Sequence, residues 1–170
     1  MPDITRDLAA LRGPFAGTDA HLDVPYWQTP PEVVEAMLDL AAVRPGERLL
    51  DLGCGDGRIV LAAARRGAEA IGVDIDASRI AEAEGAALAA GLVGRARFRR
   101  EDLFAAPLGA ADVITLYLLG HVNAWLQPRL VAEARPGTRI VSHAFAMDDW
   151  EPAITRQLDD RVLYLWIVGS

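Results

Sequence analysis

The segment from residue 49 to residue 57, LLDLGCGDG, combines a buried-strand pattern with three alternate glycines. An apolar run that ends in an acid and continues into Gly53, Gly55 and Gly57 predicts a strand entering a tight turn. Glycine reaches positive φ without a steric penalty and lets the backbone approach a bound molecule closely. Residues 58–64 then predict a helix, so the whole segment is typical of a strand, loop and helix that bind a nucleotide-like cofactor.

Two further strand patterns also end in acids. Residues 68–74 predict a strand that finishes at Asp74, and residues 96–100 predict another that leads into Asp102. A carboxylate at the first position can accept hydrogen bonds from both hydroxyls of a ribose, whichever nucleotide cofactor carries it. Because open α/β sheets bind ligands at the carboxyl ends of their strands, we expect the glycine turn, Asp74 and Asp102 to form one site.

The glycine spacing separates two classes of cofactor. A dinucleotide fingerprint, G-x-G-x-x-G, would place its third glycine at position 58, where this chain has Arg58. The pattern G-x-G-x-G after an acid, here from Asp51 to Gly57, resembles motif I of the class I S-adenosylmethionine-dependent methyltransferases. That resemblance implies S-adenosylmethionine as the cofactor and makes Asp102 the candidate acceptor for the adenine amino group.

Length and patterning together predict one domain of the α/β class. A chain of 170 residues with 52% hydrophobic content can fill one core. Strand and helix patterns alternate from Glu47 to Val141, which favours a doubly wound, mostly parallel sheet covered on both faces. Residues 153–158 and 161–168 predict a closing antiparallel hairpin, similar to the seven-stranded Rossmann-like methyltransferase fold. We place an N-terminal extension at residues 1–21 and the methyltransferase domain at residues 22–170.

The charge balance disfavours a nucleic-acid substrate. The net charge is −7 and the isoelectric point is near 4.9, whereas binding of phosphates requires a basic face. Arg95, Arg97, Arg99 and Arg100 form the one dense basic run. Because the first three alternate along a short strand and share one side of it, we interpret the run as a charged edge strand.

The remaining composition excludes several other classes of protein. A single cysteine, Cys54, cannot form an internal disulfide, and a glycine turn needs only a small side chain there, so a catalytic thiol is not expected. No apolar stretch approaches the ~18 residues of a membrane span. Residues 1–20 lack the apolar core of a signal peptide, so we expect a cytoplasmic protein. His21, His121 and His143 are scattered, and no metal site is expected.

Residues 24–31, VPYWQTPP, form a stiff aromatic lead into an amphipathic helix. Thr29 could cap that helix, with Pro30 at its first position, or it could contact a ligand. Tyr26 and Trp27 could staple the helix to the sheet, or they could cover a sulfonium, whose positive charge is attracted to aromatic ring faces. The sequence leaves both pairs of alternatives open.

The exits of the fourth and fifth strands are the other segments expected to face the methyl group. Residues 111–120 lack the Asn-Pro-Pro-Tyr type of sequence found in many enzymes that methylate amino groups of nucleic acids, which weighs against a base as acceptor. Tyr117 is the residue in that segment that could orient an amine. Tyr117, His143 and Asp148 are candidates for a general base, and the sequence does not rank them.

Four motifs carry a closer resemblance: V-P-Y-x-x-T-P-P-E-V-V at 24–34, L-G-C-G-D-G-R-I-V at 52–60, L-Y-L-L at 116–119 and P-G-T-R-I-V-S-H at 136–143. They resemble the small prokaryotic and mitochondrial protein-lysine methyltransferases, which include the archaeal broad-specificity enzymes and the ATP synthase c-subunit methyltransferase. The resemblance covers roughly residues 22–168. It implies transfer of a methyl group to a protein lysine.

The same resemblance implies a set of site residues. The expected cofactor-binding residues are Tyr26, Thr29, Asp51, Gly53, Cys54, Gly55, Gly57, Asp74, Ile75, Asp102 and Leu103. Those expected to border the lysine channel and take part in catalysis are Tyr117, His143 and Trp150. The chain departs from the family pattern at Gly120 and Ala144, where members often carry proline and aspartate. The alternatives are a methyltransferase that acts on oxygen or nitrogen of a small molecule and a non-catalytic S-adenosylmethionine-binding protein.

Overall fold

The computed structural model describes residues 28–170, so Tyr26, Trp27 and the expected boundary at residue 21 lie outside the described part. Its helices are α1 (Pro31–Leu40), α2 (Arg58–Arg65), α3 (Ala77–Ala89) and α4 (Gly120–Glu133), with a 3-10 helix at Leu103–Ala105. Its strands are β1 (Arg48–Leu52), β2 (Glu69–Asp74), β3 (Ala96–Arg100), β4 (Val113–Leu116), β5 (Arg139–His143), β6 (Ile154–Leu158) and β7 (Arg161–Ile167). None of these helices is long and apolar enough to cross a membrane.

The strands form one seven-stranded sheet in the order β3-β2-β1-β4-β5-β7-β6. Strands β1 to β5 are parallel, and β7 pairs antiparallel with both β5 and β6. The predicted fold class and the closing hairpin are therefore confirmed. The carboxyl ends of β1, β2, β3, β4 and β5 lie along one edge of the sheet, which we call the carboxyl edge.

The two faces of the sheet are covered unequally. Helices α1, α2 and α3 pack on the first face, and α4 packs on the second. The expected strand–helix alternation fails between β3 and β4, where the connection contains only the 3-10 helix. Pro107 lacks a backbone donor and Gly109 disfavours helix, which explains why this connection forms no α-helix.

The start of α1 resolves one of the alternatives for Thr29. Pro30 occupies the cap position, Pro31 is the first helical residue, and no side chain caps the helix. The interpretation of Thr29 as an N-cap with Pro30 inside the helix is therefore wrong. A proline at the first position needs no capping partner for its nitrogen, because it carries no N–H. Thr29 is instead buried beside the helix.

Gly72, in the middle of β2, packs directly under the turn that follows β1. A Cβ atom built on Gly72 would lie 2.6 Å from the Cβ of Cys54 and 2.7 Å from its sulfur. The small side chain of Cys54 thus fills the space that a larger residue at position 72 would require. This contact sets the distance between the turn and the sheet.

We expect Gly72→Ala to destabilise the fold by about 1–3 kcal/mol, since the added methyl has no room against Cys54. Gly85→Ala is the control, because Gly85 lies within α3 with no atom near its Cβ position, and the change should stabilise the protein by up to about 1 kcal/mol. Urea unfolding of both variants measures the difference. A Gly72→Ala protein as stable as the parent would contradict the packing described here.

Candidate active site

The glycine turn is held to the end of β2 by main-chain hydrogen bonds. The N–H groups of Gly53 and Cys54 both donate to the carbonyl oxygen of Val73, each at 2.9 Å. Gly53 has a φ of +80°, and a Cβ there would meet the Leu118 side chain at 3.0 Å. Gly57, with a φ of +84°, begins α2. The chain therefore passes from β1 through a turn with glycines at positive φ into α2, as the sequence predicted.

Cys54 has a packing role in this turn. Its side chain is buried over Gly72, and burial, followed by the nearby charges of Asp51 and Asp74, raises the pKa of its thiol far above the ordinary value. A thiolate does not form there at neutral pH. This agrees with the expectation that Cys54 is not a nucleophile.

Asp74 anchors the glycine turn through its carboxylate. One oxygen accepts the N–H of Gly55 at 2.9 Å, and the other accepts the N–H of Asp76 at 2.9 Å. Asp76, not Asp74, caps α3, where its side chain accepts the N–H of Ser78. Each carboxylate oxygen has a second lone pair, so Asp74 can accept ribose hydroxyls while it keeps both backbone contacts.

Asp102 lies beside this group at the end of β3. The N–H of Glu101 donates to the carbonyl of Asp74 at 3.0 Å, which brings the ends of β2 and β3 together. The Asp102 carboxylate accepts the N–H of Phe104 at 2.9 Å and so begins the 3-10 helix. Ile75, which follows Asp74 in the chain, is 47% exposed, and Leu103, which follows Asp102, is half-buried. Asp102 therefore stays the predicted acceptor for the adenine amino group, with Ile75 and Leu103 as predicted apolar contacts.

Asp51 is the most deeply buried acid of the site. Its carboxylate accepts a hydrogen bond from the Thr115 hydroxyl at 2.8 Å, across the β1–β4 register. Burial raises its pKa to about 7, and the charges of Asp74 and Asp56 act in the same direction. The carboxylate is therefore poised between its two protonation states near neutral pH, directly below the glycine turn.

Arg58 ties the glycine turn to the segment before α1. Its guanidinium forms a two-pronged ion pair with Asp56, at 3.0 and 2.6 Å, and donates to the carbonyl of Thr29 at 3.0 Å. Thr29, a predicted cofactor residue, is thereby brought to the turn. In the sequence, Arg58 marks only the position where a dinucleotide fingerprint would have a glycine, and no spacing along the chain indicates its link to Thr29.

Tyr117 and His143 form a second part of the site, at the ends of β4 and β5. Their rings stack with centroids 4.1 Å apart. The Nε2 atom of His143 lies 3.1 Å from the guanidinium of Arg161 on β7, while its buried Nδ1 atom has no partner within residues 28–170. Burial and then the Arg161 charge lower the pKa of His143 to about 4. The imidazole is therefore neutral at physiological pH and a weak base.

A buried amide supports this region from α4. The side-chain nitrogen of Asn123 donates to the Ser142 hydroxyl at 3.2 Å and to the Phe145 carbonyl at 3.1 Å. These bonds fix the chain as it leaves β5, next to Ala144, which has a φ of +70°. Asn123 is the one asparagine in the sequence, and its buried position on α4 was not predicted.

Trp150 lies in a different place from the other two predicted catalytic residues. Its carbonyl accepts the indole N–H of Trp166 at 2.7 Å, and the two indole rings are 6.1 Å apart. Trp166 pairs with Ile140 near the amino end of β5, whereas His143 is at the carboxyl end. The structure brings Tyr117 and His143 together but places Trp150 in the core of the second face.

The arrangement fits one kind of cofactor. The glycine turn, Asp74 and Asp102 lie at the carboxyl edge of a sheet with the strand order 3-2-1-4-5-7-6, where the sequence predicted a site for a nucleotide-like cofactor. Fold and site together define a class I S-adenosylmethionine-dependent methyltransferase. The chain belongs to the family of the ANTKMT methyltransferase domain, whose profile matches residues 51–154.

Similar proteins support this assignment. A protein-lysine N-methyltransferase of Saccharolobus islandicus is 40% identical, with 86% of this chain and 95% of the relative covered. The mouse adenine nucleotide translocase lysine N-methyltransferase is 34% identical, with 94% of this chain and 70% of that protein covered. An RNA methyltransferase from Salinibacter ruber, solved with S-adenosyl-L-homocysteine, superposes with a TM-score of 0.83 at 44% identity, covering 85% of this chain and 95% of its own.

Asp51→Asn should stabilise the protein progressively as the pH rises. The folded state holds the Asp51 proton more tightly than the unfolded chain, so the parent loses stability between about pH 4 and about pH 7. Asparagine keeps an acceptor for Thr115 and has no charge to bury. The gain should approach a few kcal/mol at pH 8, of the order of ~1.4 kcal/mol for each unit of pKa shift, and vanish near pH 4.

Thermal unfolding of both proteins at matched pH values measures this gain. The comparison must be between variant and parent, because His143 has the opposite effect: its lowered pKa removes stability from both proteins as the pH falls from 6.5 towards 4. A stability difference that does not change with pH would contradict the burial of Asp51 as an ionisable group.

Asp74→Ala should weaken the binding of S-adenosylmethionine at least tenfold, since it removes both the ribose acceptor and the anchor for Gly55. Asp76→Ala is the matched control. It removes the cap of α3, which costs about 1 kcal/mol of stability, and leaves the ribose position intact. Calorimetric titration compares the two, and equal affinities in folded variants would refute the role of Asp74.

Proposed function

We propose that the protein transfers a methyl group from S-adenosylmethionine to the ε-amine of lysine in a protein substrate. The observation that carries the proposal is the archaeal relative named as a protein-lysine N-methyltransferase, because this chain matches 95% of that protein's length. The mouse relative, named for lysine methylation of the adenine nucleotide translocase, supports the same class of acceptor.

RNA is the second candidate acceptor, because the Salinibacter ruber protein is described as an RNA methyltransferase. The net charge of −7 opposes it, since RNA binding draws on a broad basic surface. The exit of β4, Leu116 to Gly120, also lacks the Asn-Pro-Pro-Tyr type of sequence. We therefore favour protein lysine over RNA.

Methyl transfer requires the protein mainly to position the acceptor amine against the methyl group. S-adenosylmethionine supplies an electrophilic methyl group on a positively charged sulfur, and the acceptor must present a nitrogen lone pair in line with it. Lysine has a reference pKa of about 10.4, so its ammonium must first lose a proton. The imidazole that stacks on Tyr117 is neutral and buried, and such surroundings penalise an ammonium and favour the free amine.

In this proposal water, and not a side chain of the protein, takes the proton from the lysine ammonium. His143 is a weak base because its pKa is about 4, and Ala144 supplies no carboxylate at the position where family members often have aspartate. In this proposal the protein accelerates transfer chiefly by holding the amine and the methyl group in line. The rate should consequently rise with pH as more of the acceptor lysine is deprotonated.

Tyr117→Phe tests the placement of the amine. If the hydroxyl orients the lysine, methyl transfer should fall by roughly ten- to a hundredfold, which is about 1.4–2.7 kcal/mol of barrier, while cofactor affinity stays the same. Tyr164→Phe is the matched control, because Tyr164 packs with Trp166 in the second core cluster. The measurement is incorporation of labelled methyl groups into lysate proteins, followed by mass spectrometry for methyl-lysine.

Three results would contradict the proposal. Label found in RNA would promote the second candidate, and label found in a small metabolite would indicate a different acceptor class. Binding of S-adenosylmethionine without any transfer would indicate a protein that only senses or stores the cofactor.

A further inference from the structure

The second face of the sheet carries a groove over β1, β2 and β3 that the proposed methyl-transfer site does not use. Because no α-helix connects β3 to β4, the connection that includes Pro107 and Ala111 is what borders this part of the face among residues 28–170. The groove has a volume of about 460 Å³. It runs along the strands from Glu69, at the amino end of β2, to Val73 and Arg99, each one residue before the carboxyl end of its strand.

The strand register sets apolar and basic side chains side by side in this groove. Leu50 pairs with Ile71, and Ile71 pairs with Arg97; one step along, Val73 pairs with Arg99. Residues two apart on a strand share a face, so the apolar side chains form a floor and the two arginines stand at its outer side. Both arginines are exposed on the edge strand β3.

These two guanidinium groups are not used by the fold. Within residues 28–170, Arg97 and Arg99 have no hydrogen-bond or ion-pair partner, whereas Arg95 donates to the Gly67 carbonyl and Arg100 to the Ile75 carbonyl. The chain as a whole has a net charge of −7. Two unopposed positive charges beside an apolar floor are thus a local exception on an acidic protein.

We propose that this groove docks an acidic segment of a protein partner, with an apolar side chain on the floor and carboxylates at Arg97 and Arg99. A guanidinium is the cation best suited to a carboxylate, because its fork of N–H donors matches the two oxygens. None of the described residues that line the groove belongs to the glycine turn or to the Tyr117–His143 stack. The inference rests on the proposed function only in that the partner is taken to be a methyl acceptor.

The lining of the groove favours a peptide over RNA. None of the described residues that line it is aromatic, so the groove offers no ring to stack with a base. Glu69 also lines the groove, but Arg48 and Arg95 accompany Arg97 and Arg99 there and keep the lining positive as a whole. A partly apolar segment that carries carboxylates matches the apolar floor and the positive lining.

The test is binding of a fluorescein-labelled decapeptide of alternating leucine and glutamate, followed by anisotropy. The parent should bind it more tightly than a glutamine-for-glutamate peptide or a serine-for-leucine peptide, and rising salt should weaken binding. The Arg97→Glu, Arg99→Glu double variant should bind at least tenfold more weakly. Arg156→Glu is the matched control, since Arg156 is an exposed arginine on β6, the edge strand at the other end of the sheet.

Equal binding of the peptide by the double variant and the parent would overturn the proposal. So would equally tight binding of a labelled uridine decamer, which would indicate an RNA surface. Affinity for S-adenosylmethionine should be unchanged in the double variant, which shows that it is folded. The assay involves no methyl transfer, so a failure of docking leaves the proposed lysine acceptor untouched, and a failure of that acceptor leaves the docking result intact.

Discussion

The attachment of the glycine turn to the end of β2 is the interaction on which the rest of the site depends. Val73 receives two backbone N–H groups from the turn, Asp74 receives a third, and Gly72 provides the gap into which Cys54 packs. The end of β2 therefore fixes the position and direction of the glycine turn that follows β1, and Asp74 anchors that turn. Asp74, the predicted acceptor for the ribose hydroxyls, is also the acid that holds the Gly55 N–H, so in this prediction cofactor recognition and the conformation of the turn depend on one side chain.

The carboxyl edge concentrates negative charge in a small volume. Burial raises the pKa of Asp51, and the charges of Asp74 and Asp56 act in the same direction. Arg58 offsets part of this charge through Asp56, and Arg129 lies close enough to Asp102 to act on it electrostatically. The negative charge of this edge attracts the positively charged sulfur of S-adenosylmethionine and so favours binding of the cofactor.

The sequence predicted the features that are local in the chain and missed those that are formed by distant residues. The glycine turn, Asp74, Asp102 and the final hairpin each depend on a short pattern with a clear physical meaning. Thr115, Arg161 and Asn123 have their roles only because the topology sets them beside Asp51, His143 and Phe145, and no spacing along the chain indicates such pairs. The 3-10 connection was missed because one apolar stretch with a proline suits a helix or a loop, and packing decides between them.

Strand β7 lies between β5 and β6 in space but is the last strand in chain order. A growing chain that has not yet released residues 161–167 from the ribosome has β5 as an open edge, and the imidazole of His143 then faces water without Arg161 beside it. The imidazole of His143 consequently becomes buried, with Arg161 beside it, only when β7 pairs with β5. The cofactor side is built from β1, β2, β3 and the Thr115 contact from β4, all of which precede β7 in the chain, so the order of synthesis places the glycine turn ahead of the surroundings of His143.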